Sequence, residues 1–244
     1  MNSTKTEPTL VMIPCFSGAP WQLKQLTHLQ NRPMRTLRLP DDVHDLEKLA
    51  DFIVDQVKDL ESYVLVGDSY GAVASIPVAA RQPKGLKGLV LSGGFAKSPI
   101  TSPLLKFLSK LAPFFPGVFY RQFTLWFHAA QLASSFDQEA EIPWSTGKSR
   151  ALFLAATPHQ AYVNRIRSIE TTDYTAQLKK INVPTLILTP EDDKLIGDEA
   201  SGILLKGIKG SREVIMPRTG HMFRFSHPGA YSLEVKKFLE GAAL

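Results

Sequence analysis

Tyr63-Val64-Leu65-Val66-Gly67-Asp68-Ser69-Tyr70-Gly71-Ala72-Val73-Ala74-Ser75-Ile76-Pro77-Val78-Ala79-Ala80-Arg81 is the stretch from which the architecture can be read. Tyr63 to Val66 is a short apolar run, the pattern of a buried strand. Ala72 to Arg81 is a helix of mostly small residues. Between them, Gly67 to Gly71 fits G-x-S-x-G. A strand turning this tightly into a helix needs glycine on both sides of the serine, because side chains there would collide. The turn lifts the Ser69 hydroxyl above the sheet and points the helix N-terminus at it. An inert serine in a glycine-rich turn is the alternative, and the flanking strand and helix argue against it.

The neighbouring segments repeat the strand–helix rhythm. Thr9 to Pro14 reads as a buried strand ended by proline, followed by a helix from Trp21 to about Gln30 and a strand at Met34 to Leu39. Leu46, Leu49, Ile53, Val57 and Leu60 recur at helical spacing within Val43 to Leu60. Further strands are expected at Leu86 to Ser92, Pro184 to Leu188 and Glu213 to Met216, with helices at Asp198 to Lys206 and Gly229 to Leu239. Strands alternating with helices predict an α/β fold with a mostly parallel sheet of about six strands, covered on both faces. The rhythm breaks from Lys97 to about Ile181, which is amphipathic, rich in Phe, Trp and Leu, and without a convincing strand. The expected organisation is a core of residues 1–96 and 182–244, with a helical cap, 97–181, inserted after the fourth strand.

A serine hydroxyl is a weak nucleophile without a base beside it. Of the six histidines, His28, His44, His128, His159, His221 and His227, only the last two follow a C-terminal strand and precede the final helix. His221 lies in Thr219-Gly220-His221-Met222, where glycine lets the loop bring the ring inward, whereas His227 precedes Pro228 and reads as the helix start. The base needs an acid to orient it. Thr189-Pro190-Glu191-Asp192-Asp193 ends a strand at the sheet edge where such folds place ligands; Asp193 is assigned, with Asp192 and Glu191 as alternatives. The oxyanion donors are expected to be the backbone N–H groups of Tyr70, after the nucleophile, and Phe16, in the loop after the first strand. No residue spacing suggests a metal site, and none suggests a cofactor.

The residues Gly67 to Gly71, the acid after TLILTPEDD and the TGH loop resemble the α/β-hydrolase family in motif and order, over nearly the whole chain. Asp193 stands where the family's G-x-x-D pattern has its acid, with Pro190 replacing glycine, and Pro14-Cys15 replaces the usual His-Gly after the first strand. The resemblance implies a serine hydrolase with Ser69, Asp193 and His221 as catalytic triad. Small size, LSGGFAKSP after the fourth strand and a basic cap are similar to compact carboxylesterases such as the pimeloyl-acyl-carrier-protein methyl ester esterases of biotin synthesis. It implies cleavage of a carboxylic ester or thioester with an apolar group through an acyl-enzyme, the substrate being a small ester or a carrier-linked one. Carbon–carbon bond hydrolases and perhydrolases on the same triad are the alternatives, and a non-catalytic receptor on this fold is a third.

Composition bounds the rest. The chain has 244 residues, 44% hydrophobic and 21% charged, enough for one domain with a large core. The leading MNSTKTEP is polar and does not read as a signal peptide. No apolar run approaches the ~18 residues of a spanning helix. A single cysteine, Cys15, cannot form an internal disulfide, so a reduced, cytoplasmic setting is expected. Ten basic and five acidic residues lie between Lys97 and Lys180, which carries the whole net charge of +5. No dense basic run points to nucleic acid. The cap charge offers a docking surface for an acidic carrier protein, with Arg150, Arg165 and Arg167 as candidates. Phe107, Phe114, Phe115, Phe119, Phe123, Trp126 and Phe127 divide between the cap's own core and an apolar pocket over Ser69, with Trp126 and Phe127 expected to touch substrate.

Overall fold

Six strands, Thr9–Ile13 (β1), Met34–Thr36 (β2), Tyr63–Asp68 (β3), Leu86–Ser92 (β4), Thr185–Asp192 (β5) and Arg212–Gly220 (β6), form one sheet in the order β2-β1-β3-β4-β5-β6, with every pair parallel. The structure is a computed structural model that describes residues 7–100, 102–115, 117–197 and 199–244. Residues 1–6 of the polar leading stretch, and the Asp198 start expected for one helix, lie outside the described residues.

Both faces of the sheet are buried, as parallel strands require. Leu10, Met12, Val64, Val66, Val90 and Leu188 meet Trp21, Leu26, Leu29, Tyr231 and Val235 on one side. Val11, Ile13, Leu65, Leu89, Leu91 and Ile187 meet Leu49, Ile53, Val73, Ile76 and Leu204 on the other. Successive residues of each strand thus serve opposite cores, the consequence of the pleat.

Leu46–Val57 (α1) is capped by Asp45, whose side chain accepts from the Glu47 amide at 2.8 Å. Tyr70–Ala80 (α2) is buried throughout, which its alanines and glycine permit. Between β4 and β5 lie Pro103–Leu111 (α3), Gly117–Phe119 (α4), a π-helical turn at Tyr120–Thr124, Leu125–Gln131 (α5), Thr146–Ala156 (α6) and His159–Glu170 (α7). Glu199–Gly207 (α8), Phe223–Ser226 (α9) and Pro228–Gly241 (α10) complete the chain.

Two expectations are corrected. The helix from Trp21 to Gln30 is instead a pair of short 3-10 turns, Leu23–Gln25 and Thr27–Leu29. Side chains three apart eclipse in that geometry, and Leu26 and Leu29 are the apolar pair buried here. The strand expected to reach Leu39 stops at Thr36, because the backbone then leaves the sheet and the Leu39 amide bonds the Gly18 carbonyl at 3.1 Å.

Candidate active site

The elbow is built by close backbone approach. A Cβ on Gly67 would lie 2.6 Å from the Ala72 Cα, and one on Gly71 would overlap the carbonyl oxygens of Ile13 and Pro14 at the end of β1. Neither position accepts a side chain. Ser69 takes φ 51° and ψ −113°, a conformation costing an L-residue about 1–3 kcal/mol. Its amide is held by the Ser92 carbonyl at 2.7 Å, and its carbonyl accepts from the Ala72 and Val73 amides. The sheet and the helix start together hold the strained residue in place.

Ser69 Oγ lies 2.8 Å from His221 Nε2, and His221 Nδ1 lies 2.8 Å from Asp193 Oδ2. The other carboxylate oxygen of Asp193 accepts from the Leu195 and Ile196 amides, each at 3.0 Å. Burial pushes Asp193 upward, but the His221 ring and these hydrogen bonds outweigh it and hold its carboxyl below the usual range. Burial pulls His221 toward the neutral form; the charge and hydrogen bond of Asp193, with Asp68 adding, raise it above the ordinary imidazole value. Pro190 explains how the acid is aimed. It has no N–H for the ladder, and β5 shifts register against β6 between Pro190 and Asp192, which sets the direction of the chain entering Asp193. Asp192 turns away, its carboxylate pairing with Lys194 at 3.2 Å, while Glu191 accepts from the Arg218 amide. His227 stands at the N-cap position of α10, as its place before Pro228 implies, with its Nδ1 2.9 Å from Ser226 Oγ.

The expected oxyanion donors flank the nucleophile. Tyr70 is the first residue of α2, so its N–H has no intrahelical acceptor. Phe16 follows β1 and lines the same cavity as Ser69, Tyr70 and His221. Helix α7 ties down both sides. The Tyr70 hydroxyl lies 2.8 Å from Ser168 Oγ, and Arg165 donates to the carbonyls of Phe16 at 2.9 Å and Pro40 at 3.3 Å, and to the Asp41 carboxylate at 3.1 Å. A Cβ on Gly18 would meet the guanidinium of Arg165 at 2.5 Å, so glycine is required for this clamp.

These contacts correct the reading of Arg165 as a docking residue. Its side chain is 1% exposed and committed to the interior. Arg150 is half-buried and donates to the Arg121 carbonyl and Gln122, whereas Arg167 is exposed. Trp126 is exposed and does not line the cavity, while its neighbour Phe127 does. Adjacent residues on a helix point about 100° apart, so only Phe127 is turned toward the cavity.

The cavity above Ser69 has a volume of about 480 Å³ and is mostly aromatic and aliphatic, with Phe95, Phe115, Phe119, Phe123 and Phe153 in its wall. It also contains two features that sequence reading missed. His128 packs 4.9 Å from the Phe16 ring, with Nδ1 3.3 Å from the Tyr162 hydroxyl. Burial, with a smaller effect from His221, pulls it down to about 4, so it is neutral at ordinary pH. Asp68, inside the elbow, accepts from Arg224 Nε at 2.6 Å, both side chains being buried, with the guanidinium over the Trp21 and Phe225 rings. A buried acid beside the serine calls for a cation, but nothing local names Arg224, 156 residues away.

The family described as Serine aminopeptidase, S33 matches residues 30–223 of the chain. The proline iminopeptidase of Saccharolobus solfataricus is 27% identical over 214 residues, covering 81% of this chain and 68% of that one. A pimeloyl-[acyl-carrier protein] methyl ester esterase of Neisseria meningitidis is 26% identical over 201 residues, covering 81% and 76%. A solved hydrolase from Pseudomonas aeruginosa PA01 superimposes with a TM-score of 0.81 at 19% identity, over 96% of this chain and 90% of that one.

Proposed function

The chain belongs to the serine aminopeptidase S33 family of α/β-hydrolases, and from that premise we propose that it is a serine hydrolase cleaving a carboxylic ester or thioester with an apolar acyl group. The observation carrying this reading is the hydrogen-bonded chain Ser69–His221–Asp193, whose Ser69 and His221 line an apolar cavity of about 480 Å³. In the proposed reaction His221 Nε2 takes the Ser69 proton as Oγ attacks the acyl carbon. The Phe16 and Tyr70 amides stabilise the oxyanion, and Asp193 stabilises the imidazolium. His221 then protonates the departing alcohol or thiol. Water, deprotonated by the same ring, attacks the acyl-enzyme and frees the acid and Ser69. Residues 97–181 are the proposed cap, and its Phe115, Phe119, Phe123, Phe127 and Phe153 make the acyl pocket.

An ester is favoured over an N-terminal amine substrate by the charges in the cavity. Among the described lining residues the one carboxylate is Asp68, which Arg224 already neutralises, so no anion is left to hold a protonated amine. A reducing, cytoplasmic setting belongs to the same proposal, since the single cysteine, Cys15, is a free thiol with no internal disulfide partner. The test is a series of p-nitrophenyl esters from acetate upward, run beside a proline anilide and a methyl ester on an acyl-carrier protein. kcat/KM should rise with chain length, each methylene contributing up to ~0.8 kcal/mol until the pocket is full. A flat series, or preference for the anilide, would remove the acyl-pocket reading.

A further inference from the structure

The wall of the cavity continues onto the outside of the protein as an apolar, positively charged face. Phe115, Phe119 and Phe123 stack in succession at 5.0 and 4.6 Å, and all three line the cavity with Phe127. Phe119, Phe123 and Phe127 are nevertheless exposed on their other sides. The same stretch of chain carries exposed side chains that do not line the cavity: Leu104, Phe107, Phe114, Val118 and Trp126, with Phe114 and Val118 each 74% exposed. Among the described residues eight of the ten exposed large apolar side chains fall in this one segment. Soluble surfaces rarely gather so many, and a gathering of this kind marks a surface that meets another.

Charge identifies what it meets. From Lys97 to Phe136 the chain has four cations, Lys97, Lys106, Lys110 and Arg121, and no carboxylate. Lys106, Lys110 and Arg121 are exposed and alternate along the chain with the aromatics. Lysine and arginine flanking exposed Phe, Trp and Leu suit the boundary between lipid head groups and acyl chains. Of the three candidate arginines that could fork onto an acidic carrier protein, Arg165 is buried and Arg150 is committed to Arg121 and Gln122, which leaves Arg167 alone exposed. We infer that the face formed by α3, α4, the π-turn and α5 docks on an anionic lipid bilayer, with the mouth of the cavity against the membrane surface. Docking itself is independent of the catalytic proposal; that the cavity then draws an acyl chain from the bilayer rests on it.

The test uses the full chain with vesicles of phosphatidylcholine alone or with about 30 mol % phosphatidylglycerol, scored by co-sedimentation and by the fluorescence of Trp126. Each cation near such a surface contributes about 1 kcal/mol, so binding should be at least about tenfold tighter on the anionic vesicles and should weaken in high salt. A blue shift should accompany binding and vanish in Trp126→Phe. Phe107→Gln/Phe114→Gln and Lys110→Glu/Arg121→Glu should each reduce binding at least about tenfold, while retaining the circular dichroism of the parent and its turnover of a soluble ester. Ser69→Ala should bind as the parent does, which separates docking from catalysis. No binding, equal binding to both vesicles, or unchanged binding by the Phe107/Phe114 variant overturns the inference. So does the finding that these substitutions instead abolish self-association or capture of an acyl-carrier protein.

Discussion

Arg165 Nη1 donates to the carbonyl oxygen of Phe16 at 2.9 Å, so a helix inserted between β4 and β5 holds the loop that follows β1. The same helix reaches Tyr70 through Ser168. Arg165→Met should therefore lower kcat by roughly 10–100-fold with KM little changed, since small displacements of an oxyanion donor cost that much. Steady-state kinetics on one ester checks this; a rise in KM at constant kcat would show that Arg165 shapes binding alone.

Ser69 should be the residue that reacts with a fluorophosphonate. Ser69→Ala should lose the label and reduce kcat by a factor on the order of 10⁴ or more. Label retained in the variant, located by peptide mass mapping, would place the nucleophile elsewhere.

Asp193→Asn should preserve the fold but reduce kcat by roughly 10⁴, because the imidazole loses its orienting acceptor. Asp192→Asn should be mild, since that carboxylate pairs with Lys194 at the surface. The reverse ranking would shift the acid by one residue.

The pH profile follows from the sign of the His221 shift. Only neutral His221 can take the serine proton, and Asp193 and Asp68 together raise its pKa above the ordinary value despite burial. kcat/KM should thus rise with pH through one ionisation above ~6.5, and Asp68→Asn should move that limb downward. For stability the His221 contribution is complete below the unfolded value and is lost as pH rises through the folded one. His128, pulled down to about 4, works in the opposite sense and destabilises the fold as pH falls from ~6.5 toward that value. A limb at or below ~6.5 in the parent protein would contradict the assignment.

Arg224→Met should destabilise the protein by about 3–5 kcal/mol, because it leaves the Asp68 carboxylate buried without its partner. Adding Asp68→Asn should restore much of that loss, since the unpaired charge is then gone. Urea unfolding of the two variants measures the difference, and a double variant no more stable than Arg224→Met would mean that the guanidinium acts through its stacking on Trp21 and Phe225 instead.

Local chemistry makes the elbow and the strand–helix alternation legible in the amino-acid sequence, and it narrows the acid to Glu191, Asp192 and Asp193, among which the tertiary structure brings Asp193 to His221. Those features depend on short-range rules: glycine where backbones touch, apolar runs where a strand is covered on both faces, and a turn where a strand ends. The 3-10 pair near Leu26 and the early end of β2 are not legible there, because packing against α10 and the bond from Leu39 to Gly18 override propensity. The partnerships across the chain are decided by tertiary structure alone. Arg165 and Arg167 are equivalent in composition, yet one is clamped inside against Phe16 and Asp41, while the other points to solvent. Trp126 and Phe127 are adjacent, yet helix rotation sends only Phe127 into the cavity. Whether a buried charge finds its counter-ion 124 or 156 residues away depends on how the elements dock, which no local pattern encodes.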